Sequence, residues 1–131
     1  MVVNTHLPTH LRSVASHAAD TLMREVKGVR AVVVSTEDGF EVAARVENKV
    51  QVSRLSAMAS SLAALGALAG EEGQLGSCNS LVMEAEGGFM AIVQIRRSDV
   101  TLIMSVVTGP DAIIGQVLYF ARQAAAMVQK A

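Results

Sequence analysis

Three histidines, one cysteine, a pair of glutamates and a run of glycines are the groups in this sequence that could do chemistry. His6, His10 and His17 are possible metal ligands, the first two standing four residues apart. His6 and His10 flank Pro8, and no cysteine or carboxylate completes a tetrahedral set, so solvated side chains at a helix entry are the better reading. Cys78 has no basic residue within ten positions on either side to lower its pKa, which leaves it a small packed hydrophobe at the start of a strand. Glu84 and Glu86 share a face if they lie on a strand, as a general acid/base pair would, but an acidic solvent face is the commoner meaning. Gly66, Gly70, Gly73 and Gly76 invite comparison with a phosphate loop. They lack the Gly-Lys-Ser/Thr ending, and Gly73–Ser77 leads into a strand, not a helix N-terminus. No Ser, His and Asp form a nucleophile motif. The sequence predicts no catalytic residue, no metal and no cofactor.

Composition narrows the class further. At 131 residues the chain makes one domain, long enough to bury a core without a disulfide or metal. With 51% apolar and 18% charged residues it is no disordered chain, and 11 basic against 12 acidic side chains offer no field for nucleic acid. A single cysteine cannot staple the fold, which points to the reducing cytoplasm. No basic segment followed by an apolar one marks a signal peptide. The charge-free run between Arg54 and Glu71 falls short of the roughly 20 apolar residues a spanning helix needs, so no membrane insertion is expected.

The elements that must position any site follow from periodicity. A first helix is predicted over about Pro8–Val26, with Leu11, Val14, Ala18, Leu22 and Val26 on one stripe. Arg30–Ser35 reads as a strand covered on both faces, and Asp38-Gly39 as a hairpin turn. Phe40, Val42, Ala44 and Val46 then alternate with Glu41, Ala43, Arg45 and Glu47 on an edge strand that Asn48-Lys49 closes. The second helix, about Val50–Gly70, carries no charge for sixteen residues. Leu55, Met58, Leu62, Leu65 and Ala69 form one stripe; Ser56, Ser60, Ala63, Ala67 and Gly70 form another of small residues. Two of its faces should be covered, one by the sheet and one by another helix or a second chain. Leu81–Glu86, Phe89–Ile95 and Val100–Val107 are strands, the first pair joined at Gly87-Gly88. Thr108-Gly109-Pro110-Asp111 opens a last helix that buries Ile113, Ile114, Val117, Leu118, Ala121, Ala125 and Val128. A five-stranded, mainly antiparallel sheet with helices on both faces satisfies this order. Most of the seven methionines are core filler, while Met58 and Met83 suit an adaptable partner surface.

Several of these segments, in this order, resemble the Roadblock / dynein-light-chain family. They are Val26-Lys27-Gly28-Val29, Ser35-Thr36-Glu37-Asp38-Gly39-Phe40, Ala57-Met58-Ala59-Ser60-Ser61-Leu62, Leu81-Val82-Met83-Glu84 and Asp111-Ala112-Ile113-Ile114-Gly115-Gln116. The match runs from about Leu11 to Val128 within a single domain of residues 1–131. The resemblance implies a profilin-like α/β sandwich and a homodimer in which the third strands join into one sheet with the second helices side by side. By position, that contact would use Asn79 to Glu84, with Asn79, Leu81 and Met83 foremost, and Met58, Leu62 and Leu65 of the helix. It leaves open which stripe of the helix meets the sheet.

The resemblance also implies a non-enzymatic cytoplasmic regulator that binds a Ras-like small GTPase, of the type that co-regulates bacterial gliding and polarity GTPases. No motif nominates Arg54, Arg96 or Arg97 as a catalytic finger, so any effect on hydrolysis would come from ordering the GTPase's own switch loops. The alternatives are a scaffold subunit without GTPase contact and a small-molecule sensor. Few convergent polar groups favour the last.

Overall fold

The computed structural model describes residues 7–47 and 50–131, so His6 and the Asn48-Lys49 closure lie outside it. The order is α1 (Thr9–Glu25), β1 (Val29–Thr36), β2 (Glu41–Val46), α2 (Val52–Glu72), β3 (Ser80–Ala85), β4 (Gly88–Arg96), β5 (Thr101–Thr108) and α3 (Ile114–Lys130). The strands form one antiparallel sheet in the order β2-β1-β5-β4-β3. Helices α1 and α3 cover one face and α2 crosses the other.

The apolar runs land where both faces are covered. Val32 and Val34 of β1, Val93 and Ile95 of β4, and Leu102, Met104 and Val106 of β5 meet Leu11, Ala15, Leu22, Val117, Ala121 and Val128 in the main core. The opposite face is thinner. Under α2 the buried cluster is Ala59, Ala63, Met90, Ile92 and Ile103, with the hydroxyls of Ser35, Ser56 and Ser105 buried without a hydrogen-bond partner.

Three sequence expectations are corrected. Pro110 and Asp111 do not open α3; they form a turn closed by the Ala112 N–H on the Gly109 carbonyl at 3.4 Å, and the helix starts at Ile114. Proline pre-sets the second position of such a turn as readily as a first helical turn. Ile113, ahead of the helix, is therefore exposed rather than buried, and Leu118 is half-buried. In β2, a register shift between Val34 and Ser35 of the paired strand breaks the alternation, so adjacent Val42 and Ala43 are both buried while Val46 is exposed. Helix α2, with 21 residues and an 18-residue window of mean hydropathy 1.3, is long and apolar enough to cross a membrane by length and composition. Its charge-free core understates its length.

Arg97, in the β4–β5 turn, ties the last turn of α3 to the sheet. Its Nη1 donates to the carbonyls of Val128 (2.7 Å), Gln129 (3.3 Å) and Ala131 (2.8 Å), while Nε and Nη2 grip the two carboxylate oxygens of Asp99. The side chain is only 12% exposed, so the carbonyls at the negative end of α3 have a cation in place of water. Arg97→Ala is expected to cost about 2 kcal/mol in urea unfolding and to speed amide exchange at the end of α3. The same guanidinium holds the Asp99 carboxyl below its ordinary 3.8. Because the folded value is depressed, the pair's contribution is complete above that ordinary value and disappears as pH falls through the lower folded one. An NMR titration of Asp99 should move back up in Arg97→Ala.

Candidate functional site

Among the described residues, β2 and β3 lie at the sheet edges. Edge strand β3 pairs with β4 from Ser80↔Val93 to Ala85↔Gly88 and presents its other side, with Val82 42% and Met83 51% exposed. Lysine, proline or a bulge commonly blunts an edge against pairing, and none interrupts Ser80–Ala85.

Helix α2 runs across the same end of the sheet. Its sheet-facing stripe is Ser56, Ala59, Ala63, Gly66 and Gly70. Small residues let the helix sit close to large side chains rising from the strands: a Cβ on Gly66 would stand 3.0 Å from Leu81 Cδ1, and one on Gly70 would overlap the Gly76 carbonyl. This settles the choice the sequence left open. A small-residue face meets the sheet, but not the stripe expected: Ala59 and Gly66 join Ser56, Ala63 and Gly70, while Ser60 is half-buried and Ala67 exposed. Much of the larger stripe is turned outward, with Met58 57% and Leu65 60% exposed. The second cover expected for α2 is not supplied within the described residues.

The helix divides its side of the sheet into two grooves. One flank, with Ser60, Ala64, Ala67 and Glu71, borders a polar groove of about 530 Å³ that reaches Gln94, Arg96 and Thr101. The other, with Leu55 and Met58, borders an apolar notch of about 610 Å³ against Met83, Ala85, Phe89, Met90 and Val107. Arg30 and Glu47 sit at its rim. The six residues expected at a partner contact thus divide. Met58 and Met83 line the apolar notch, and both, like Leu65 on α2, are exposed. Leu62 and Leu81 are half-buried and pack on the cluster beneath α2. Asn79 is exposed ahead of β3, where its carbonyl accepts from Gln94 at 3.0 Å and its side chain from Arg96 at 2.8 Å.

Sequence reasoning missed Leu68 and Leu75. Leu68 is 59% and Leu75 83% exposed. The end of α2 fixes Leu75 in place: the Gln74 N–H donates to Glu71 O at 3.0 Å and the Leu75 N–H to Gly70 O at 2.8 Å. Those paired bonds end helices through a left-handed residue, here Gln74 at φ 58 where glycine is usual. The leucine that follows ordinarily packs back on the helix three residues from its end, but that position is Gly70 and offers no side chain. An isolated leucine in a polar Gly-rich segment was the signal.

Among the described residues no group of three His, Cys, Asp or Glu could hold a metal. Cys78 is half-buried, its thiol directed at the Ser80 carbonyl at 3.4 Å, and Arg96 donates to its carbonyl oxygen.

No family model matches the chain, and no curated protein matches it in sequence. Solved structures do match. A Roadblock/LC7 domain from Streptomyces avermitilis superposes with a TM-score of 0.78 at 19% identity, covering 88% of this chain and 94% of that one. The gliding protein MglB from Thermus thermophilus gives 0.83 at 13% identity over 99% and 96% of the two chains. An MglB with tetrameric arrangement gives 0.85 at 15% over 99% and 96%. With α1 and α3 on one face of the β2-β1-β5-β4-β3 sheet and α2 on the other, the chain has the fold of the Roadblock/LC7 domains.

Proposed function

We propose that the protein is a homodimeric, non-enzymatic regulator that binds a Ras-like small GTPase in the cytoplasm. One observation carries the reading: the unpaired edge of β3 runs beside an outward apolar flank of α2, so strand and helix offer one continuous surface. A second copy satisfies both at once, adding β3 to β3 and α2 to α2 about a two-fold axis. Burying Met58, Leu65 and Met83 is worth about 2 kcal/mol each by apolar transfer. That gain must first offset the loss of free tumbling and of side-chain freedom on association. The fold shared with MglB, a gliding protein, supports placing the dimer beside a GTPase. The protein then acts by ordering the GTPase's switch loops, with no arginine of its own inserted.

The test runs immobilised protein against lysate in parallel with GDP and with a non-hydrolysable GTP analogue, and identifies what is held. The expected result is a small GTPase retained mainly in the analogue arm, whose turnover then changes on adding the protein. Equal capture in both arms with no GTPase present would replace the regulator with a scaffold.

A further inference from the structure

The geometry points to Leu75 as a plug that fills the apolar notch of the partner subunit, an inference that rests on the homodimer proposed above. The notch reaches the β3 edge strand, and its walls include Met83, Ala85 and Gly87 at the C-terminal end of that strand. Leu75 lies at the opposite end, ahead of β3. When a strand pairs antiparallel with its own copy, residues that precede it in one protomer lie beside those that follow it in the other. The two-fold axis therefore brings the partner's Leu75 to the mouth of this notch, and this Leu75 to the partner's.

Shape and charge agree with that occupant. Leu75 is 83% exposed yet held by two backbone hydrogen bonds, so presenting it costs little ordering on association. The notch is lined mainly by apolar side chains, and neither of the two charged residues at its rim, Arg30 and Glu47, has a salt-bridge partner among the described residues, so the guanidinium is open to a second carboxylate. Glu72, three residues before the plug, is exposed and likewise makes no salt bridge among them. A leucine enters the apolar notch while a carboxylate approaches the free guanidinium. Each notch is incomplete without the other chain.

The experiment places Leu75→Cys and Ala85→Cys together in a Cys78→Ser background, with each single cysteine variant beside it, under mild oxidation by copper phenanthroline. Within one protomer the two positions are separated by the length of β3, roughly 17 Å, too far for a disulfide, whose Cα atoms stand within about 7 Å. The expected result is a covalent dimer from the double variant and none from either single one. Light scattering under reducing conditions supplies the independent reading. A dimer in solution that gives no covalent product overturns the plug and leaves the homodimer standing. A monomer in solution removes the homodimer and the plug with it. A covalent dimer from Leu75→Cys alone also overturns it, because it places the two loops against each other. Leu75→Asp should in addition raise the dimer dissociation constant at least about tenfold.

Discussion

Met83→Lys is expected to convert the dimer to a monomer at micromolar concentration while leaving the fold intact. Met83 lies near the middle of the free β3 edge, pairs with Met90 of β4 and is 51% exposed. In an isolated protomer the lysine stem can lie along the notch with its ammonium in water, so the fold loses little. In a dimer joined through β3 the two-fold axis sets the substituted positions near one another, and both ammonium groups must lose water close to a like charge. The dissociation constant should rise at least about 100-fold. Sedimentation equilibrium reads the monomer and circular dichroism the retained fold. A folded dimer from this variant would place the interface elsewhere. Leu62→Glu is the poorer probe, because Leu62 packs against the cluster under α2 and its loss confuses unfolding with dissociation.

The largest stability effect is expected at Gly88. Its φ of 142 lies in a region that side chains rarely adopt, and a Cβ there would overlap the carbonyl oxygen of Thr108. Relief by movement is blocked from both sides. The Thr108 hydroxyl accepts from the Phe89 N–H at 3.1 Å and donates to the carbonyl of Gly109 at 3.0 Å or of Phe89 at 3.3 Å, while Phe89 is seated in the main core. Gly88→Ala combines backbone strain with a clash against backbone and should cost about 3 kcal/mol or more. For a domain of this size that lowers Tm by roughly 10 °C. Gly87→Ala, one position earlier, meets open space and serves as the control in the same thermal scan. Equal melting of the two variants would sink the explanation.

These two sites also show what could be read from the residues alone. The turns at Asp38-Gly39 and Gly87-Gly88 and the apolar runs of β1, β4 and β5 were legible because each is a local signal: positive φ at a turn, or burial on both faces. An apolar and a small-residue face of α2 were legible too, but neither their orientation nor the full membership of the small one, which holds Ala59 and Gly66 in place of Ser60 and Ala67. Either could have faced the sheet, and the outcome depends on what rises to meet it. Met90, Ile92 and Ile103 already fill the space below, so the helix contributes Ala59, Ala63, Gly66 and Gly70, and Met58 and Leu65 are left outside. Pro110-Asp111 was misread because the same pair suits a turn and a helix start. Leu75 escaped notice because its exposure follows from the way α2 ends, with no side chain at Gly70 to receive it.

The thin footing of α2 has a consequence for motion. It rests on a small cluster that includes three hydroxyls without partners, and its ends are charged against its dipole, with Arg54 in the first turn and Glu71 and Glu72 in the last. Helix α3, seated in the main core and with Lys130 in its last turn, shares none of these burdens. In the isolated protomer α2 is therefore the segment that lifts away first, as a local opening well below the free energy of global unfolding. Its amide protons should exchange with solvent faster than those of α3. Whatever covers its outer flank holds it down, so the protection of that one helix reports how far the chain is engaged with a partner.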